Sequence, residues 1–270
     1  MHAVRAPSIA PHWPYRYIVM NPVTASVVSH QQIDMVAMLL ADLNQHCHGT
    51  IEKVVLTCNL PEPPPFTPTD FKFRLEILNN AQPLGFGANH NQAFRRCETD
   101  WFLVLNPDVR IQSDVINALL NRATPSTGLL APQERDAHGA LVENLRGLIT
   151  PWELVLRNVF KQVPPPMRFG WVKGMFMLTR SETYRAVNGF DPRYFMYCED
   201  FDLCARMMLS GWTIDLHRDI NVTHSWQRTS HSSYSHLKHH LRSLWRMWIS
   251  AAFWSYRRLL RRTIKQAPDI

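Results

Sequence analysis

Residues Trp101–Leu105 (WFLVL) form an unbroken apolar run that stops abruptly at Asn106-Pro107-Asp108. Such a strand has no polar face to turn toward water. Both of its faces must be covered, as they are in parallel sheets layered between helices. The preceding chain fits that arrangement. Val23–Ser29 (VTASVVS) and residues 54–57 and 71–78 read as strands, and Ile33, Val36, Leu40 and Leu43 recur at helical spacing over 31–46. A further helix is expected over 88–96. The Pro-dense stretch 61–68 (PEPPPFTP) can continue neither kind of element and forms a loop. The expected fold class is α/β, with a Rossmann-like, mostly parallel central sheet flanked by helices.

The second half is less regular. It predicts a helix near 112–123, strands near 128–132 and 171–179, a Pro-rich loop at 164–166, and a helix from Glu199 to about Leu209, stopped by Gly211. Charge is distributed unevenly. The 270 residues carry a net charge of +7, and residues 236–270 hold eight Lys/Arg against the single acid Asp269. The basicity therefore belongs to a tail, and the rest of the chain is balanced. The five cysteines show no CxxC spacing, which argues against a disulfide framework or a zinc site. The N-terminal residues 1–22 lack the apolar core of a signal peptide and read as an irregular lead-in. No run reaches the roughly 18–20 apolar residues that span a bilayer. A reduced, cytoplasmic protein is expected.

Four constellations carry candidate chemistry. Asp108 stands at the C-terminal tip of an apolar strand, where ligands bind in open α/β sheets. A carboxylate there suits a hard divalent cation, Mg²⁺ or Mn²⁺. The same Asn-Pro-Asp residues also suit a plain turn. Glu199, Asp200 and Asp202 lie within four positions at an expected helix start, among several aromatics. One of them could act as a general base, and helix capping by acids is the alternative. Asp202 and Arg206 are spaced to pair at i, i+4. Gly85-Phe86-Gly87, just before a helix, permits close backbone approach to a ligand, as in a phosphate loop, but lacks the third glycine of a dinucleotide fingerprint. His224 follows an expected strand and could ligate a metal, although it is one of thirteen histidines.

Taken in order, these segments resemble glycosyltransferase family 2, on the GT-A fold, and most closely its rhamnosyltransferase-like branch. The residues that carry the resemblance are Gly85-Phe86-Gly87 with Asn91, Leu105-Asn106-Pro107-Asp108, Trp171 through Met177, Gly189-Phe190-Asp191 through Arg206, Gly211-Trp212 and His224. The similarity runs from about Val23 to about Ser230.

The resemblance implies an inverting transfer of a sugar, possibly rhamnose by branch, from a dTDP- or UDP-linked donor to a polysaccharide or polyprenyl-linked glycan. It places the domain at 23–230, with a nucleotide-sugar-binding half (23–110) and an acceptor half (111–230). It assigns Asp200 as the base with Glu199 as fallback. Asp108 would hold Mg²⁺ or Mn²⁺ on the donor diphosphate, with His224 adding a contact. Asn106 replaces the first acid of the family's Asp-X-Asp motif. Ser29, His30, Asn59, Gly85, Asn91 and Asn106 fall on the donor side, and Lys173, Gly174, Met175, Asp202 and Arg206 on the acceptor side. One departure is that the family's base-reading Asp after the second strand is missing from Thr57-Cys58-Asn59-Leu60. A non-catalytic nucleotide-sugar-binding scaffold on the same fold is the alternative function.

Residues 231–270 read as one basic, aromatic, amphipathic C-terminal helix. Its composition suits an anionic membrane interface on the cytoplasmic side; packing on the catalytic domain is the alternative. Nucleic acid is not an expected partner, although the pI is 9.4, because the charge is confined to this tail.

Overall fold

The computed structural model describes residues 22–148, 150–159, 170–224 and 234–266. The lead-in over 1–21, the loop 164–166, residues 225–233 with His231, and residues 267–270 lie outside the described residues.

The strands are β1 (Val23–Ser29), β2 (Ile51–Cys58), β3 (Arg74–Asn79), β4 (Trp101–Leu105), β5 (Val109–Arg110), β6 (Thr127–Arg135), β7 (Leu141–Val142), β8 (Leu145–Arg146), β9 (Trp171–Val172), β10 (Phe176–Arg180) and β11 (Thr213–His224). The helices are α1 (Ile33–His46), α2 (Phe86–Phe94), α3 (Val115–Leu120), α4 (Pro151–Val159), α5 (Ser181–Ala186), α6 (Glu199–Leu209), α7 (Tyr234–Ile249) and α8 (Ala251–Gln266). The main sheet runs β3-β2-β1-β4-β10-β6-β11-β5, with β7 beside β6, and β8 pairs with β9 apart from it. β3, β2, β1 and β4 are parallel. β10 is antiparallel to β4 and β6, and β11 is parallel to β6. The parallel arrangement thus holds for the first half, and the second half adds a mixed extension.

The order of the parallel strands explains where a ligand can bind. The chain leaves β1 toward β2 on one side and returns to β4 on the other, which opens a crevice beyond their carboxyl ends. Every residue of β4 is buried, as its unbroken apolar run requires. On one face α1 and α3 pack Leu39, Leu40, Leu43, Ile116 and Leu119 against it. On the other, α2, α5 and α6 contribute Ala93, Tyr184, Leu203 and Met207. Each fully buried side chain of this size contributes about 1.5–3 kcal/mol before entropy is counted.

Three expectations need correction. The strand expected over 171–179 is two strands, because residues 173–175 turn toward the crevice. β6 continues past the expected 132 to Arg135 and includes Glu134, which is fully buried. The C-terminal tail is two helices rather than one. Ser250 Oγ accepts from Phe253 N (3.1 Å), capping the start of α8. α8 then buries Phe253, Tyr256 and Leu260 against Phe201 and Ala205 of α6, so it packs on the domain.

Candidate active site

Asp108 follows β4 directly, and its setting is fixed by strand register. β5 pairs antiparallel with the end of β11, with His224 opposite Val109. This brings His224 Nε2 to 3.0 Å from Asp108 Oδ2. The other ring nitrogen, Nδ1, lies 2.9 Å from Glu134 Oε1, and Glu134 Oε2 accepts from Lys173 Nζ at 2.5 Å. Asp108, His224, Glu134 and Lys173 therefore alternate in charge along one chain of contacts. Burial alone would lower the His224 pKa, but the two carboxylates outweigh it and push it up to about 9. Burial pulls the Lys173 ammonium below its ordinary value, and the pair with Glu134 opposes that shift.

Glu199 and Asp200 open α6 after a strained turn. Tyr197 and Cys198 both adopt left-handed backbone, with φ of 72° and 65°. Such a conformation costs about 1–3 kcal/mol per non-glycine residue, and it aims the first turn of α6. Asp200 accepts from Phe201 N (2.8 Å), Gly174 N (3.3 Å) and the Trp171 side chain. Burial raises its pKa, and these three donors oppose the rise. Glu199 is buried, and its Oε2 has no partner among the described residues. Burial, reinforced by the Asp200 charge, pushes the Glu199 carboxyl up to about 8. Burial thus raises both acids of this adjacent pair, and three donors orient Asp200.

Residues 173–175 join the two carboxylate centres. The Lys173 side chain reaches Glu134, the Gly174 amide reaches Asp200, and Met175 O accepts from Asn106 N at the tip of β4 (2.9 Å). A Cβ on Gly174 would come within 3.3 Å of the Phe86 ring and 3.7 Å of the Asp200 side chain, so this glycine keeps the joint narrow.

Several residues expected to contact ligand are engaged by the fold instead. Asn91 donates to Phe190 O (2.7 Å) and accepts from Phe190 N and the Tyr184 hydroxyl. Asn59 accepts from Leu84 N and Asn80 Nδ2 and donates to Leu84 O and His30 Nδ1. Both side chains pin loops, because their hydrogen-bonding groups are already matched. Gly85 and Gly87 are packed closely against protein. Added Cβ atoms would meet the Phe195 backbone and the Phe190 side chain, each at 2.5 Å, and Phe86 N donates to Phe195 O (2.9 Å). These glycines admit the loop that leads to Glu199. Asp202 and Arg206 form the expected i, i+4 pair (2.7 Å), but the guanidinium also donates to Val187 O and Gly189 O, so the pair ties α6 to that turn. Met175 is buried, and only its backbone serves the joint. Ser29 is buried and its Oγ accepts from Gln32 N, whereas His30 is exposed at the crevice.

Sequence reading missed Glu134 and Glu62. Glu134 sits in the polar end of β6, between Gln133 and Arg135, with no local signal of a distant cation. Glu62 lies in the proline-rich loop, and its carboxylate accepts from Gln31 N (3.2 Å) and Ile33 N (3.0 Å) at the start of α1.

Comparison with known proteins identifies the class. The fold matches that of the mannosyltransferase PcManGT from Pyrobaculum calidifontis in complex with GDP-Man and Mn²⁺, with a TM-score of 0.59 at 13% identity, over 98% of this chain and 69% of that one. GalNAc-T7 with UDP, GalNAc and Mn²⁺ matches with a TM-score of 0.60 at 13% identity, over 77% of this chain and 44% of that one. The fold is that of the GT-A glycosyltransferases. No protein-family model matches the chain. Among curated proteins, an N-acetylglucosaminyl-diphospho-decaprenol L-rhamnosyltransferase of Mycobacterium tuberculosis is 33% identical over 165 residues, covering 53% of this chain and 53% of the relative. Rhamnosyltransferase WbbL of Escherichia coli is 29% identical over 184 residues, covering 60% of this chain and 69% of the relative. Over these lengths the chain is similar to proteins named as rhamnosyltransferases. It spans about half the length of the mycobacterial relative.

Proposed function

We propose that the protein transfers a sugar from a nucleoside-diphosphate sugar to a hydroxyl of a glycan, with inversion at the anomeric carbon. The observation that carries this reading is the 173–175 joint, which draws Asp108 and the Glu199-Asp200 pair to one end of the sheet. The relatives' printed activities favour rhamnose as the sugar and a polyprenyl-diphosphate-linked acceptor presented at a membrane.

In this reading Asp200 removes the acceptor proton, a contribution typically worth about 10²–10⁴-fold. Its three donors fix its orientation, and its raised pKa brings it nearer to that of a hydroxyl. Glu199, whose carboxyl is pushed up to about 8, stands next to it in the chain. A divalent cation fits at Asp108, because the buried Oδ1 has no partner among the described residues. No cluster of three or more His, Cys, Asp or Glu residues suited to a metal occurs among the described residues, so diphosphate oxygens and water would complete the coordination. When bound, Mg²⁺ or Mn²⁺ neutralises charge developing on the departing diphosphate. His224, charged between two carboxylates, stands beside Asp108 where it would face the diphosphate, and Glu134 holds its far nitrogen. The exposed His30 and the Asn106 tip line the donor crevice.

The test is thermal-shift titration with dTDP, UDP and GDP, each with and without Mn²⁺ or Mg²⁺. A metal-dependent rise with one nucleotide, lost in Asp108→Ala, is expected. No shift with any nucleotide would overturn the donor assignment.

A further inference from the structure

Helix α7 has two opposed faces with different tasks. Its inner face grips the segment that leads into Glu199. Ser243 Oγ donates to Met196 O (2.8 Å), and the Arg246 guanidinium donates to Arg193 O. His239 stacks on Phe195 with ring centroids 4.8 Å apart, and the His240 and Tyr197 rings lie 5.0 Å apart. These contacts fall on residues 193–197, and the left-handed pair Tyr197 and Cys198 lies at their end.

The outer face is apolar and open. Leu237, Leu241, Trp245 and Ile249 recur every fourth residue and are 54, 58, 66 and 64% exposed. Residues i and i+4 lie along one side of a helix, so the four form a continuous row. Lys238 and Arg242 are exposed beside it, and Arg258, Arg261 and Arg262 are exposed on α8. No acid occurs anywhere from Tyr234 to Gln266. A second copy of the chain would meet this face with like charge. An anionic lipid surface complements it, and tryptophan rings suit the headgroup boundary. No described helix is long and apolar enough to cross a membrane, so the contact lies in the plane of the surface.

We infer that an anionic lipid surface docks on the outer face of α7 and, by seating this helix, holds the strained loop before Glu199 and Asp200 in place. The inference rests on the transferase reading for the role of that loop; the docking itself does not. Because α7 contacts lipid on one side and residues 193–197 on the other, lipid binding and ordering of the loop are linked, each favouring the other.

The experiment uses the full chain with vesicles of phosphatidylcholine alone or with about 30% phosphatidylglycerol. Pelleting is expected to rise about tenfold or more with the anionic vesicles, and Leu241→Glu/Trp245→Glu should lose it. Both side chains are already solvated, so an unchanged melting temperature confirms that this variant folds. Amide exchange over residues 193–200 should slow about threefold or more on vesicle binding. Ser243→Ala should keep the pelleting and lose much of that slowing. Equal pelleting on neutral and anionic vesicles overturns the docking, and unchanged exchange in the bound state overturns the link to the loop. A dimer in sedimentation that Leu241→Glu/Trp245→Glu dissociates, without lipid binding, would make the face a self-interface and sink the inference. Failure of the transferase reading shows separately, as the absence of any metal-dependent nucleotide shift.

Discussion

Asp108 and Asp200 present carboxylates at the same end of the sheet, but their surroundings differ. Around Asp108 the charges alternate through His224, Glu134 and Lys173, each within 3.0 Å of the next. Around Asp200 the donors are two backbone amides and an indole, its neighbour is another acid, and the turn before it is strained. The first setting balances charge and holds its members in place, which suits a post for cation and diphosphate. The second leaves protonation delicately set, which suits proton transfer. One short segment, 173–175, supports both, so the two settings are held in register by three residues.

The largest test of this contrast is Asp200→Asn. Transfer should fall about 10²–10⁴-fold, while nucleotide binding by calorimetry and the melting temperature stay near wild type. Retained activity would remove Asp200 from the role of base. Glu134→Leu should act in the opposite sense, on stability first. It removes the buried carboxylate that Lys173 and His224 share, at a cost of about 3–5 kcal/mol in urea unfolding. A loss under about 1 kcal/mol would mean that the network is not the rigid side of the cleft.

Glu199→Gln sharpens the comparison through pH. The folded-state pKa of Glu199 is raised to about 8 from an ordinary 4.5, so its protonated form stabilises the fold. That stability is fully present below about 4.5 and is lost as pH rises through about 8. The variant has no carboxylate to ionise. It should gain on wild type between pH 5 and pH 9, by an amount on the order of a few kcal/mol. Parallel stability curves for the two proteins would show that Glu199 does not hold its proton. The smallest effect is expected from Gly87→Ala, whose Cβ would lie 2.5 Å from Phe190 Cβ. Overpacking there should cost about 1–3 kcal/mol and loosen the loop before Glu199, seen as faster amide exchange.

The parts of the fold written in local pattern were readable. β1 and β4 fall where their apolar runs lie, and α6 starts at Glu199 and ends at Leu209, between a cluster of acids and Gly211. Glu134 was not readable, because its partner Lys173 is distant in sequence and the polar run Gln133-Glu134-Arg135-Asp136 reads as solvated chain after a strand. The glycines at 85 and 87 signalled close approach, but not that Phe190 and Phe195 make it. Asn59 and Asn91 sit where ligand contacts were expected, and only the hydrogen-bond partners show that loops have taken them. The break in the tail did carry a signal in Ser250, a favoured N-cap residue. It went unread because the basic and aromatic pattern continues across it.

The cover that α8 provides for α6 sets an order of assembly. During synthesis β1 to β4 can pair with one another before the later strands emerge, since their mutual ladders lie within residues 23–105. The helix that begins with Glu199 and Asp200 emerges with Phe201 bare, and waits for Phe253, Tyr256 and Leu260. At about 5–20 residues per second that wait lasts seconds, during which an apolar surface is open to chaperones or to aggregation. The carboxylate pair is thus among the last features of the molecule to be completed, and the parallel strands among the first.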